Sequence, residues 1–505
     1  MKKLFQVLCG IFLSASLVTS VTGTINAAPY KSYNYVNGNN GITDVAAPTA
    51  YLPVKVLDEN NLGVKLSAPE DLCQDDKGNF YVLDSATGYV HSFTSNWEKR
   101  YTLFGYLEAG NQNPTDLKKP QGICVWNNIL YVAETEGNQI VKYDINTKEV
   151  IGFLKQPKSD LLGDGFEFRP KKIEVDSTGR IFVVAENVNQ GLMELTQEGA
   201  FVGFVGSNSV VASPFEVIFR YFLTEEQIAN RVAFVPVEYT NISLDPSGFI
   251  YAVTAVSEVN TPIRKLNPAG KDILVRNPVN GVDAVAGDLL YDKSSAAADR
   301  GPSSFVDIAA NDQGIYFALD NNRGRIFAYD EDGNMLFEFG GNNTYQTGTF
   351  IQPSALGIVG NRIYVLDRDR KNIVAFEPTE YGQAIMDATR SYVEGNYEKS
   401  LVQWEGLLKK NCNFDLAYVK AGFCLYRMGD NEKAMEYFEL ANAREYYTKA
   451  FVKYRKDWLN ENFTWLILGA IMILILLIVV IWLIRKWKNH RKEFGSGTER
   501  RGVGG

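Results

Sequence analysis

The stretch NRIYVLDRDRKNIVAFEPTEYGQAI, residues 361–385, changes character half-way along. Residues 361–367 alternate apolar and polar side chains as a half-buried strand does. Residues 368–371 carry turn chemistry, and 372–377 form a second alternating run. Beyond Pro378 the apolar spacing becomes helical. Elsewhere in the chain the same unit continues into one more strand, so the question is where that strand has gone.

The unit recurs six times. It reads as a Pro or Ser, a short apolar strand, a Gly or Asn turn, an aromatic-rich strand and often an acid. The instances are APEDLCQDDKGNFYVLD (68–84), KPQGICVWNNILYVAE (119–134), RPKKIEVDSTGRIFVVAE (169–186), EYTNISLDPSGFIYAVT (238–254), SSFVDIAANDQGIYFALD (303–320) and QPSALGIVGNRIYVLD (352–367). Their last residues are spaced by 50, 52, 68, 66 and 47. Periods of this length, with several strands in each, mark a radial array of small sheets. Each full unit is expected to hold four strands, in the first unit near 70–75, 79–84, 88–94 and 99–105. The run AYLPVKVLD (50–58) precedes the first unit and has no partner of its own. Pairing it with 372–377 closes the ring and removes two exposed sheet edges. The chain stops building sheet at 378 because the ring is then complete.

This repeated phrase resembles that of the NHL-repeat six-bladed propellers, over residues 50–377. The resemblance implies an all-β six-bladed propeller. It leaves the chemistry open, because such propellers include metal-dependent lactonases, lyases and pure binding modules. Two long spacings hold insertions. In 207–236, Phe215, Ile218, Phe219 and Phe222 share one face of a helix. Phe215, Phe219 and Phe222 either pack onto the propeller or offer a docking surface to a partner or a membrane. The second insertion, 280–301, is polar and reads as a loop over one face.

Residues 384–460 have helical period. The segments 395–407 and 429–441 align at an offset of 34, and the later copy carries Tyr418, Gly422, Gly429, Ala434, Phe438 and Ala441. These positions resemble those of tetratricopeptide repeats, in which small residues let paired helices approach and an aromatic fills between them. The earlier copy is degenerate. The helix 444–463 is expected to cap the pair. The module is read as either a protein-binding groove or a spacer. The expected fold class is therefore an all-β six-bladed propeller, then a small α-helical repeat module, then one transmembrane helix.

Both ends carry targeting signals. Residues 1–27 read as a secretory signal peptide, with Lys2 and Lys3 ahead of an apolar run, and 28–49 as an N-terminal linker. Residues 464–484 are uncharged and long enough to cross a bilayer, with Trp465, Trp482 and Trp487 near the ends. The tail 485–505 has seven Lys/Arg against two Glu, which places it in the cytoplasm and the rest outside the cell membrane. With a chain total of −8, residues 28–463 carry a net charge of about −15, which argues against nucleic acid as a ligand.

The chain has two histidines, His91 and His490, so an imidazole-rich zinc site cannot be built, and no Ser–His or Cys–His pairing presents itself. His91 reads as structural. Cys73 and Cys124 occupy equivalent positions on neighbouring units and are expected to be buried free thiols. The residue ahead of the inner strand's apolar position is, in order, Asp71, Gly122, Lys172, Asn241, Asp307 and Ala355. Asp71, Lys172, Asn241 and Asp307 are thus candidates to converge on a polar ligand at one mouth of the channel. Ca²⁺ is the one cofactor that such oxygens suggest, and Lys172 would compete with it. The recurring acids Asp84, Glu134, Glu186, Asp320 and Asp367 are expected to bind backbone N–H groups of the following turn.

Functionally, these features point to a membrane-anchored extracytoplasmic binding or scaffold protein without catalysis. The resemblance to membrane-anchored bacterial NHL propellers implies a partner that is a membrane or solute-binding protein, in some cases of a sugar uptake system. The competing reading is a lactonase- or lyase-like enzyme using Asp71, Asn241 and Asp307.

Overall fold

A computed structural model describes residues 28–495 apart from 39–40, 108–113, 164, 207–237, 256–260, 277–285, 289–300 and 343–345. The signal peptide, most of both insertions, Phe215, Phe219, Phe222 and the end of the basic tail lie outside the described residues. The chain divides into two compact units, 1–417 and 418–505.

The first unit opens with a two-stranded hairpin, β1 (Tyr33–Gly38) and β2 (Gly41–Ala46), followed by β3 (Tyr51–Leu57). Residues 28–49 are therefore more than the linker read from sequence. Blade 1 is β4–β7 (Pro69–Gln74, Phe80–Asp84, Tyr89–Phe93, Lys99–Leu103), within two residues of the expected limits. Blade 2 is β8–β11 (Pro120–Trp126, Ile129–Glu134, Gln139–Asp144, Val150–Leu154). Blade 3 is β12–β15 (Pro170–Val175, Ile181–Ala185, Leu192–Leu195, Phe201–Val205). Among the described residues blade 4 has three strands, β16–β18 (Asn241–Leu244, Ile250–Val253, Ile263–Leu266). Beyond β18, among the described residues, Leu266 and Asp272 form a single bridge, and Asp272 accepts from Lys265 N and pairs with Arg276. Blade 5 is β19–β22 (Phe305–Ala310, Ile315–Asp320, Arg325–Asp330, Met335–Gly340).

Blade 6 answers the question set by residues 361–385. Its strands are β23 (Pro353–Val359), β24 (Arg362–Asp367), β25 (Asn372–Pro378) and, outermost, β3. The pairing is antiparallel, from Ile373 opposite Leu57 to Pro378 opposite Tyr51. The innermost strands β4, β8, β12, β16, β19 and β23 neighbour one another in cyclic order. The molecule is thus a closed six-bladed β-propeller. Its core lies between blades: Leu72, Phe80 and Val82 of blade 1 pack with Ala355, Tyr364 and Leu366 of blade 6.

The N-terminal hairpin is tied to blade 5 by a buried charge cluster. Tyr33 N donates to Glu338 Oε1 at 3.0 Å, and the hydroxyls of Tyr33 and Tyr35 donate to Asp288 Oδ1. Arg323 and Arg325 both pair with Asp288.

Helix α1 (Glu380–Val393) begins where the ring ends. Thr379 caps it, accepting from Gly382 N while donating its hydroxyl to Thr49 O. Gly382 lets the helix approach β3 closely: a Cβ there would stand 2.1 Å from Ala50 O. Gly382→Val is expected to loosen this junction, raising hydrogen exchange across 379–393 about tenfold while the blades keep their protection. Helix α2 (Tyr397–Lys410) pairs with α1, and Ser400 Oγ donates to Ala388 O across them.

Helix α3 (Asp415–Met428) leads into the second unit, which continues with α4 (Asn431–Leu440) and α5 (Arg444–Gly495). A Cβ on Gly422 would lie 2.7 Å from the Phe438 ring, so this small residue and this aromatic meet between α3 and α4. Phe438 also packs with Phe423 and Tyr446. The expected capping helix and the expected span are one unbroken helix, α5. It is long and apolar enough to cross a membrane, and its residues 470–484 are exposed throughout.

Candidate functional site at the channel mouth

Five inner strands share a register shift two residues from their start: Pro69/Asp71, Pro120/Gly122, Pro170/Lys172, Phe305/Asp307 and Pro353/Ala355. A bulge re-aims the residue that follows it. This is why one position per blade faces the axis, and why reading one residue per repeat found it. In blade 4, Asn241 opens β16 opposite Val253 without a shift.

The structure brings Asp71, Lys172, Asn241 and Asp307 together, all buried, around a cavity of about 320 Å³ lined by all six inner strands. Asp71 accepts from Leu72 N at 3.1 Å and, across the blade boundary, from Ile123 N at 2.9 Å. Asp307 does the same with Ile308 N at 2.7 Å and Leu356 N at 2.5 Å. Asn241 accepts from Ile242 N at 2.7 Å and donates to Asp307 Oδ1 at 2.5 Å. Lys172 Nζ stands 3.1 Å from Asp71 Oδ1 without hydrogen-bond alignment, so the pair is held by charge. Lys172 reaches from blade 3 past blade 2 to blade 1. Gly122 lets β8 lie close against β12, since a Cβ there would meet Lys171 O at 2.2 Å. The four residues thus clamp neighbouring blades as well as lining the cavity.

Two residues further along each inner strand, side chains face the same way. Glu174 and Cys124 meet there at 3.7 Å, with Cys73 on the same wall. Cys73 and Cys124 are free thiols, Cys124 buried and Cys73 half-buried, and burial raises both well above the usual thiol range. Glu174 escaped the sequence reading, although its i+2 relation to Lys172 was visible. Burial pushes Glu174 up to about 8, with the charge of Asp71 adding to it. Asp307 is pushed up to about 7 by burial, against the pull of Lys172. Asp71 is raised by burial too. For Lys172 burial works downward, but Asp71 and Asp307 outweigh it and the ammonium is held.

A carboxyl whose folded pKa is raised binds a proton that the unfolded chain has already released. Its contribution is therefore fully present below about 4.5, the unfolded value, and is lost as pH rises through about 8. Wild type is expected to melt at a lower temperature at pH 8.5 than at pH 5.5 in thermal unfolding. Glu174→Gln should remove a large part of that difference.

A Ca²⁺ ion takes six to eight oxygens. Here the carboxylates of Asp71 and Asp307 accept from backbone amides and face Lys172 or Asn241. Among the described residues, no group of three or more His, Cys, Asp or Glu side chains is placed to hold a metal. His91 is buried on β6, with Nδ1 3.0 Å from Thr102 Oγ1, and burial lowers its pKa.

Of the recurring acids, Asp84, Asp320 and Asp367 accept from the following turn as inferred, and from a second segment as well. Asp84 accepts from Ala86 N and Thr87 N of the turn, and from Ser67 N and Ala68 N before the inner strand. Asp367 repeats this with Asp369, Arg370, Ile351 and Gln352. Asp320 accepts from Asn322 N of the turn and Ser304 N before the strand, whereas Glu134 accepts from Lys118 N before the strand and from Gln139 Nε2. Glu186 departs from the pattern and pairs with Arg169.

No protein-family model matches this chain, and no curated protein matches it. Among solved structures it is similar to virginiamycin B lyase from Staphylococcus aureus, at 10% identity and a TM-score of 0.37, over 65% of this chain and 99% of that one. A protein of unknown function from Bacteroides thetaiotaomicron gives 12% and 0.42, over 70% and 83%. A luciferin-regenerating enzyme gives 10% and 0.37, over 65% and 96%. The architecture stands on the ring itself: six sheets, closed by β3 against β25, make this chain a six-bladed β-propeller.

Proposed function

We propose that the chain is a membrane-anchored extracytoplasmic binding protein without catalysis. In this reading α5 is the anchor, the basic tail is cytoplasmic, and NHL-like blades with tetratricopeptide-like hairpins present their surfaces to a membrane or solute-binding protein. A component of a sugar uptake system would suit that role. The observation that carries the reading is the state of the channel mouth. Asp71, Asn241 and Asp307 are spent on backbone amides of the inner strands and, for Asn241 and Asp307, on each other, whereas a hydrolytic centre needs groups directed at a reacting atom.

The test is cross-linking of the full-length protein in its native membrane, with mass spectrometry of the cross-linked peptides. Links converging from one face of the propeller or the hairpins onto a single membrane or solute-binding protein are the expected result. Divalent-cation-dependent hydrolysis of a lactone panel, abolished by Asp71→Asn and Asp307→Asn, would overturn the reading in favour of the enzyme.

A further inference from the structure

The two ends of the apolar run in α5 differ in charge. The eight residues before Thr464 hold Lys456 against Asp457 and Glu461. The eight after Ile484 hold Arg485, Lys486, Lys488, Arg491 and Lys492, and no acid. Orientation in a membrane needs only a basic tail. The structure also fixes where three of these bases stand.

Helix α5 runs without a break to Gly495, so the first bases leave the apolar run on a helix. Arg485 and Lys488 are exposed, at i and i+3 on one side of it, with no ion-pair partner among the described residues. Lys486 Nζ lies over the Trp482 ring at 5.1 Å, and it too lacks an anion among the described residues. Three neighbouring cations thus stand without a counter-charge from the protein.

Depth is a separate observation. Lys488 is four residues beyond Ile484, about 6 Å along the helix at about 1.5 Å per residue. The headgroup layer is about 5–7 Å thick on each side of the hydrocarbon. In a bilayer crossed by α5, Arg485, Lys486 and Lys488 therefore stand among headgroups. Trp482 and Trp487, both exposed, flank them as rings at that interface do. A base at this depth takes its counter-charge from the lipid around it. The phosphate of phosphatidylcholine is balanced by its own ammonium, whereas that of an acidic phospholipid is not. We propose that the 485–488 segment of α5 docks the headgroups of acidic phospholipids. This rests on the membrane reading of α5.

The experiment uses the full-length chain in nanodiscs, with incorporation measured first. Failure to incorporate would overturn the anchor reading, and the docking surface with it. The discs hold phosphatidylglycerol and phosphatidylcholine with the same acyl chains, and native mass spectrometry counts the lipids that stay on the released protein. In about 0.1 M salt, phosphatidylglycerol is expected about tenfold above its share of the disc. About 1 M salt should remove most of that excess, since the Debye length falls from about 10 Å to about 3 Å. Arg485→Gln, Lys486→Gln and Lys488→Gln together should bring the excess below about threefold, with incorporation and the thermal midpoint unchanged. Arg485→Lys with Lys486→Arg and Lys488→Arg should keep it, because the charge is retained. Arg455→Gln with Lys456→Gln, before the apolar run, should leave it as it was. Retention of both lipids in proportion to their share by an incorporated protein, or an excess that survives the triple neutralisation, overturns the docking surface and leaves the anchor standing.

Discussion

Tyr51→Ala is expected to lower the stability of the propeller by about 4 kcal/mol, the range for a fully buried aromatic cut back to alanine. Tyr51 is the first residue of the closing strand and is 0% exposed. Its ring stacks on Phe339 of blade 5 at 4.6 Å and touches Phe317 and Phe337. Its hydroxyl reaches Asn361 O at 3.1 Å and meets Met386 of α1. One side chain therefore joins β3, blade 5, blade 6 and the first helix. Tyr51→Phe keeps the stacking and gives up the hydroxyl, so it should cost only about 1 kcal/mol. Urea unfolding of the detergent-purified chain measures both. Equal losses in the two variants would mean that the hydroxyl, and not the ring, holds the closure.

Asp367→Ala should cost a similar amount, about 4 kcal/mol, by another route. Its carboxylate is fully buried and accepts four backbone N–H groups, from Ile351, Gln352, Asp369 and Arg370. Removing it strands them, and each buried donor left unsatisfied costs about 1–3 kcal/mol, partly relieved where water enters. Asp367→Asn keeps the oxygen that serves Gln352, Asp369 and Arg370 and turns an amide against Ile351 N–H. Its loss should fall between the other two. Glu186→Ala, at the equivalent place in blade 3, removes only a partly exposed ion pair with Arg169 and should stay within about 0.5 kcal/mol. The same unfolding series ranks all three; a Glu186 variant as damaged as the Asp367 one would refute the backbone-amide account.

The parts legible in the sequence were those written as local periodicity. Alternation with glycine turns marked the blades, and a strand without a neighbour, AYLPVKVLD, marked the closure. A glycine and a phenylalanine at repeat positions marked the approach of α3 and α4. The mouth residues Asp71, Lys172 and Asp307 were legible because a bulge recurs at a fixed place in the repeat, and Asn241 because it holds the same place in its unit without one. What stayed hidden were side chains whose meaning depends on distant partners. Arg325 pairs with Asp288 and Glu338, and Tyr33 of the hairpin joins them from far away in the sequence. The hairpin itself, YNYVNG and GITDVA, is short and polar enough to read as a linker. Glu174 was hidden differently: its raised proton affinity comes from burial, which no spacing displays.

The closure has a kinetic side. Residues 51–57 are made early, yet their partner strand begins at Asn372. The N-terminal strand must then wait, unpaired, while five blades and most of a sixth are synthesised. Pairings this far apart in sequence form slowly, since a long loop is closed before any contact rewards it. Through that interval residues 51–57 and the incomplete last blade are open edges, each able to pair with the wrong neighbour. Chains crowded together during synthesis would be prone to exchange this strand, giving linked pairs of rings in which each molecule completes the other.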